Sequence, residues 1–214
     1  MTGRSRSRAA RRPGRPVGAD AAQTRERIVQ AAYEVINERG YAATTFQEIA
    51  KRSGLSRPTL NYYFASREEL YCALLKQAHD VVSSCIRVAK QHDGTLDRLH
   101  AYIDAVVAVW HRDRAVVGFL ANARLEAYRH PDLPAATVVA TRGFLGEVVT
   151  EAIVRRELPL HTEHATLVEL LYAMLWGVGA YSGCQRGPVD VPEIAKQLHL
   201  VIANGLLSIV DRGR

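Results

Sequence analysis

From Asp20 onward, apolar residues recur with the helical repeat almost throughout the chain. Ile28, Ala31, Ala32, Val35 and Ile36 fall at i, i+3, i+4, i+7 and i+8, which is one face of a helix, and Gly40 is placed to end it. Three segments with their own start signals follow. Thr45-Phe46-Gln47-Glu48 reads as a capping box, in which Thr45 accepts from a first-turn N–H and Glu48 reaches back. That helix is predicted to run to about Arg52 and to stop at Gly54. Ser56 caps the next one, which tolerates Pro58 in its first turn and ends near Phe64. Ser66-Arg67-Glu68-Glu69 reads as a second capping box, opening a longer helix through about Ala89.

Five more helices are predicted beyond it. Leu96, Leu99, Ile103, Val106 and Trp110 make one stripe, and Val116, Phe119, Leu120 and Ala123 make the next, ending before Pro131. Val138, Thr141, Phe144, Leu145, Val148, Ala152 and Ile153 follow, up to Pro159. A segment from about Thr162 to Cys184 is apolar on much of its circumference. The last helix runs from about Val191 to Val210. No strand pattern and no internal repeat is present, so the expected fold class is all-α.

Residues 45–64 have the shape of a helix-turn-helix. Ile49 and Ala50 face inward, Gly54 sits in the tight turn where positive φ is needed, and Leu55 fills the gap between the helices. The second helix turns Leu60, Tyr63 and Phe64 to the core. Arg57, Thr59, Asn61 and Tyr62 are left on or near its outer face. These are residue types that read DNA: Arg for guanine edges or phosphate, Thr for a thymine methyl, Asn for adenine, a Tyr hydroxyl for phosphate.

Charge sharpens that picture. The chain carries 28 Lys+Arg against 22 Asp+Glu, yet six arginines and no acid lie in residues 1–19, so residues 20–214 are balanced at 22 of each. The net positive charge therefore belongs to an N-terminal arm. That arm is poor in large apolar groups and is expected to be disordered. A polyanion-seeking arm on a neutral body points to nucleic acid before it points to a metabolic enzyme. Within it, Arg12-Pro13-Gly14-Arg15-Pro16 holds Gly-Arg-Pro, similar to the core of an AT-hook, whose extended arginines fit a narrow A·T minor groove.

With these residues in view, the segment TTFQEIAKRSGLSRPTLNYYFASREELYCALL, residues 44–75, resembles the DNA-binding signature of the tetracycline-repressor (TetR/AcrR) family. The likeness extends from about Thr24, through Glu38-Arg39-Gly40-Tyr41, to about Leu75. It implies an all-helical homodimer with an N-terminal three-helix DNA-binding domain and a C-terminal helical domain for ligand binding and dimerisation. The expected division is 1–19 for the arm, 20–66 for the helix-turn-helix domain and 67–214 for the second domain. By resemblance, Thr45 matches a threonine that touches phosphate, and Arg57, Thr59, Asn61 and Tyr62 match recognition-helix positions. Tyr63 matches a His or Tyr that meets the DNA backbone. Arg67 stands where the family usually has Lys at a helix N-terminus, itself a phosphate-binding location. Asn61 departs from the family, which most often has Tyr there, and an amide that reads adenine replaces a ring. With Arg12 and Arg15 of the arm, these are the expected DNA-binding residues.

The resemblance also implies an effector pocket between Leu96 and Leu175 or just beyond. The chain offers large apolar groups with polar ones interspersed: Trp110, Phe119, Asn122, Arg124, Phe144, Tyr172 and Trp176 are the expected ligand-binding residues. An apolar or amphipathic molecule suits them better than a phosphorylated one, since no Gly-rich phosphate loop is present. Ala173, Gly177, Ala180 and Cys184 run nearly in line along one helix, and small residues there suit a dimer interface shared with the last helix.

Catalysis is not expected. HExxH, GxSxG, P-loop and GxGxxG patterns are absent, His161 and His164 lack an established metal spacing, and His130-Pro131-Asp132 reads as a turn. No cofactor or metal is expected. Three cysteines without a CxxC speak against a disulfide framework, and no apolar run reaches the ~20 residues of a membrane span. The basic start lacks the apolar stretch of a secretory signal, so a cytoplasmic setting is expected. The combined reading is a ligand-responsive, sequence-specific transcriptional regulator, a repressor in the usual family mode, acting on a roughly palindromic operator. The alternative is a ligand-independent architectural DNA binder dominated by the arm.

Overall fold

The computed structural model describes residues 17–129, 134–184 and 190–207. Its described residues form helices α1 (Val17–Arg39), α2 (Phe46–Ser53), α3 (Arg57–Tyr63), α4 (Arg67–Ala89), α5 (Thr95–Arg112), α6 (Arg114–Arg129), α7 (Ala136–Val154), α8 (His164–Cys184) and α9 (Val191–Leu207), with no strand. The fold class is all-α, as the apolar periodicity requires. The arm through residue 16, the His130-Pro131-Asp132 turn and the expected end of the last helix at Val210 lie outside the described residues.

Local signals delimit the first helices. Gly40 (φ 79°) and Gly54 (φ 67°) adopt the left-handed conformation that lets the chain leave α1 and α2 at no side-chain cost. Thr45 caps α2 in a reciprocal box: its hydroxyl accepts from the Glu48 N–H, and the Glu48 carboxylate accepts from the Thr45 N–H. Ser56 caps α3 by accepting from the Thr59 N–H, and proline follows in the first turn.

Two expectations need correction. Helix α1 begins at Val17, inside the segment expected to be disordered, with Asp20 in its first turn opposing the positive end of the helix dipole. The second capping box is out of register by one residue. Ser66 accepts from the Glu69 N–H, but the Glu69 carboxylate takes the N–H of Ala65 instead of that of Ser66. A cap of another kind opens α6, where one Asp113 carboxylate oxygen accepts from the N–H groups of Ala115 and Val116.

One apolar cluster runs from Ile28 on α1 to Ile202 on α9. At the seam between the two halves, the fully buried Phe119 ring meets Tyr33 edge-on at 4.9 Å and Tyr71 at 5.5 Å. The Tyr33 hydroxyl donates to the Leu74 carbonyl. Aromatic rings packed this way from α1, α4 and α6 resist separation, and truncating such a ring to Ala costs about 3–5 kcal/mol. Polar bonds border the knot: Gln30 donates to Asp113 and Asn37 donates to the Ala115 carbonyl. The helix-turn-helix is thereby fastened to α6.

Candidate functional site

The helix-turn-helix is rigid because its inner face is apolar and its edges are tied to α1. Ile49, Ala50, Leu60 and Phe64 are buried, while Leu55 and Tyr63 are half-buried. Arg52 of α2 pairs with both Glu34 and Glu38 of α1, and Arg27 donates to the Ser53 carbonyl at 2.7 Å. Arg25 lies over the Phe64 ring, 4.9 Å from its centroid.

The outer face of α3 presents the expected residues. Arg57 and Asn61 are exposed, and Tyr62 is 84% exposed, a large ring held in water beside the Tyr63 ring. Thr59 is half-buried, its hydroxyl 2.7 Å from that of Ser56. Thr45 is exposed at the α2 N-terminus, with its hydroxyl 2.9 Å from Glu48 Oε2. Arg67 stands at the α4 N-terminus, as expected from the sequence, with its guanidinium engaged within the chain. Its guanidinium stacks 4.5 Å over the Tyr41 ring and donates to the carbonyls of Ala42 and Thr44. Arginine's planar fork makes both contacts at once, where lysine's point charge would reach outward. Arg12 and Arg15 lie outside the described residues.

A cavity of about 110 Å³ lies in the second half, between α4, α5, α6, α7, α8 and α9. Trp110, Tyr172 and Trp176 line it as expected. So do Val82, Cys85, Tyr102, Val106, Leu120, Thr141 and Leu198, among others. Among the described residues, the walls carry no carboxylate, ammonium or guanidinium. Their polar groups are few: the Tyr102 hydroxyl lies 3.4 Å from that of Thr141, which donates to the Thr137 carbonyl. Burial pushes the Tyr102 phenol up to about 12 and raises the Cys85 thiol above its ordinary value. Trp176 Nε1 donates to the Ala121 carbonyl, tying α8 to α6, whereas the buried Trp110 Nε1 has no hydrogen-bond partner among the described residues.

Four expected ligand residues do not line this cavity. Phe119 faces the seam with Tyr33 and Tyr71. Asn122 donates to Asn37 of α1. Phe144 packs against the Tyr102 ring from α7, 5.1 Å between centroids. Arg124 stacks on the Tyr172 and Trp176 rings without itself forming wall. Periodicity placed Phe119 and Phe144 toward the interior, and the interior holds the seam as well as the cavity; Asn122 and Arg124 were expected as polar groups of the implied pocket. Tyr102 was missed, although it sits one turn from Leu99 on the same stripe. Val191, Ala195 and Leu198 of α9 also form wall, and the last helix was not expected to contribute to the pocket.

His161 and His164 are exposed, and His164 Nε2 lies 3.1 Å from both the Thr150 hydroxyl and the Gly146 carbonyl. Among the described residues, no three His, Cys, Asp or Glu gather in a way that would hold a metal ion. No helix among them is long and apolar enough to cross a membrane.

An outward-facing reading helix, clamped to a helical body that encloses an apolar cavity, defines a two-part helix-turn-helix regulator fold. Residues 28–74 match the family described as bacterial regulatory proteins, tetR family, and the chain belongs to that family. It is 30% identical over 150 residues to the HTH-type transcriptional activator FasR of Mycolicibacterium smegmatis. That alignment covers 68% of this chain and 65% of FasR, so the chain spans just under two thirds of that relative. In fold it is similar to the ketosteroid transcriptional regulator KstR2 of Mycobacterium tuberculosis, with a TM-score of 0.71 and 21% identity over 85% of this chain and 93% of that one. It is also similar to the transcriptional regulator FadR from Bacillus subtilis in complex with stearoyl-CoA, with a TM-score of 0.68 and 17% identity over 84% of this chain and 98% of that one.

Proposed function

We propose that this chain is a homodimeric, sequence-specific transcriptional regulator, a repressor released from its operator by an apolar or amphipathic small molecule. The observation that carries the reading is the outer face of α3, where Arg57, Asn61 and Tyr62 stand exposed on a helix whose inner face is locked. Arg57 and Asn61 read base edges, Tyr62 and Tyr63 meet the backbone, and Thr45 meets phosphate at the start of α2. Residues 20–66 form the reading unit, and 67–214 bind effector and partner. The arm 1–19, with Arg12 and Arg15, supplies phosphate attraction, so removing residues 1–16 flattens the salt dependence of binding.

Dimerisation through α8 and α9 is supported by their exposed apolar residues. Leu170, Ala173, Gly177 and Tyr181 fall on one face of α8, and Leu200 and Val201 are exposed on α9. A side chain added at Gly177 would meet nothing within 4 Å, which leaves room for a second helix to approach closely. Two such protomers read half-sites about 34–36 Å apart.

The cavity suits the effector. Its volume of about 110 Å³ lies well below the ~300–1,000 Å³ of ordinary ligand sites, so an effector of that size parts the walls. Helix α6 carries Val117, Leu120 and Ala121 toward the cavity and Asn122 toward α1. A displacement of α6 is therefore passed to the reading unit, and a ligand that prefers the displaced state shifts the population away from DNA. The FadR structure that shares this fold holds stearoyl-CoA, a molecule with a long apolar tail.

The test is selection of binding sites from random duplex DNA by the full chain at moderate salt. A palindrome with fixed half-site spacing is expected. Enrichment of A·T-rich duplex without a palindrome would replace this reading with that of an architectural binder led by the arm.

A further inference from the structure

Two guanidinium groups gather around Tyr172. Arg124 of α6 lies 4.6 Å from the centroid of the Tyr172 ring and 4.8 Å from that of Trp176, and Arg142 of α7 lies 4.5 Å from the Tyr172 ring. Both rings line the cavity. The two arginines differ in what satisfies them. Arg142 makes a two-pronged pair with Glu169, Nε to Oε1 at 2.7 Å and Nη2 to Oε2 at 2.8 Å. Arg124 makes no hydrogen bond or ion pair among the described residues and rests on the two ring faces.

Stacking occupies the face of a guanidinium and leaves its in-plane N–H donors uncommitted. Arg124 is half-buried, so its charge is only partly hydrated, and no carboxylate offsets it. The cavity, by contrast, has no charged group on its walls and accepts no ion. The Tyr172 and Trp176 rings belong to both environments, lining the cavity and carrying Arg124. A molecule matched to both has an apolar body and a single anionic end.

We propose that the effector is an amphipathic anion, its apolar body in the cavity and its carboxylate or phosphate held by Arg124. The inference rests on the effector reading above and narrows it to a chemical class. Arg142 takes no direct part, because Glu169 already pairs with its charge and would repel a second anion. The competing role for Arg124 is a staple that closes α6 on α8 through the two rings.

Both tryptophans of the chain, Trp110 and Trp176, line the cavity, so intrinsic fluorescence of the full-length protein reports its occupancy. The probes are decanoate, decyl phosphate and decanol, which share one apolar body and differ at the end group. At least one anion is expected to bind about tenfold or more tightly than decanol, the scale of a charge-assisted bond. The tighter of the two names the head group. Arg124→Gln is expected to erase the preference and leave decanol binding unchanged, and Arg124→Lys, which keeps the charge but loses the fork, to retain part of it. Equal binding of all three probes by the unaltered protein overturns the proposal while leaving an apolar effector site standing. Equal loss of decanol and anion binding in Arg124→Gln overturns it in favour of the staple. A flat fluorescence signal with every probe overturns both this inference and the effector reading beneath it.

Discussion

Asn122 donates from Nδ2 to Oδ1 of Asn37 at 3.0 Å, and Asn37 in turn donates to the Ala115 carbonyl at 2.7 Å. The first residue sits on the helix that borders the cavity, the second on the helix that backs the reading unit. This pair is the polar part of the seam whose apolar part is Phe119 against Tyr33 and Tyr71. Removing Asn37 strands two half-buried partners, so Asn37→Ala is expected to cost about 1–3 kcal/mol, against about 1 kcal/mol for Asn122→Ala. For a chain of this size each kcal/mol lowers the melting midpoint by about 2–4 °C. The double variant should lose less than the sum, because the two share one bond. Melting curves of the three variants check this, and strict additivity would mean the bond carries nothing. The effector-induced fall in DNA affinity should also shrink in each.

Alkaline pH probes the same seam together with the cavity wall. Burial raises the phenols of Tyr33, Tyr71 and Tyr102 above their ordinary value of 10, with Tyr102 reaching about 12. A group whose folded value is raised contributes stability that is intact below its unfolded value and lost as pH rises through the folded one. The fold should therefore hold up to about pH 10 and weaken from there toward 12. Phenolate absorbance followed together with circular dichroism tests it. Late ionisation accompanied by loss of helix is expected, and ordinary ionisation of every tyrosine with helix intact would show the three to be accessible. On the acid side, hydrogen bonds from Arg52 hold Glu38 below its usual 4.5, and those from Arg98 do the same for Glu151. Both are exposed, so their stabilisation, lost as pH falls below 4.5, is small and further weakened by salt.

Arg57 and Arg67 should fail differently. Arg57 is exposed on α3 and free to reach a base edge, so Arg57→Ala is expected to cost about 1–3 kcal/mol on the selected operator and much less on random duplex. Arg67 is spent on the Tyr41 ring and on loop carbonyls between α1 and α2. Arg67→Ala should lower the melting midpoint and weaken both DNAs alike. Binding titrations on the two duplexes, with melts alongside, decide between these roles. An equal loss on both DNAs for Arg57→Ala would reduce it to a phosphate contact.

The reading unit was legible in the sequence because its determinants are local. Thr45 with Glu48, Gly54 and Ser56 fix where helices start and stop within a few residues, and each was found at its predicted place. The cavity was less legible because an amphipathic stripe does not say what it faces. Phe119 and Trp110 both fall on apolar stripes, yet one packs across the seam and the other lines the cavity. Only the packing of α5 against α6, α7 and α9 separates them. Tyr102 shows the same limit: its place beside Thr141 depends on α7, which lies about forty residues further along the chain. Arg67 marks another limit, since the position predicted a cation at a helix start but not which neighbours would capture it.

The exposed apolar face of α8 and α9 offers the cleanest test of assembly. Leu170 and Val201 are each 56% exposed, so charging them disturbs no packing within the protomer. Leu170→Glu combined with Val201→Glu is expected to change the melting midpoint of the isolated protomer little, within about 0.5 kcal/mol per site. Two buried like charges facing their copies across a two-fold axis would instead break the dimer. Sedimentation should then give a monomer, with binding to a single half-site kept and binding to the full palindrome reduced toward that level. The contrast follows from geometry: a monomer keeps every base contact of α3 and loses only the second reading helix. A dimer that persists in the double variant would move the interface away from α8 and α9, and the exposed leucine and valine would then need another partner.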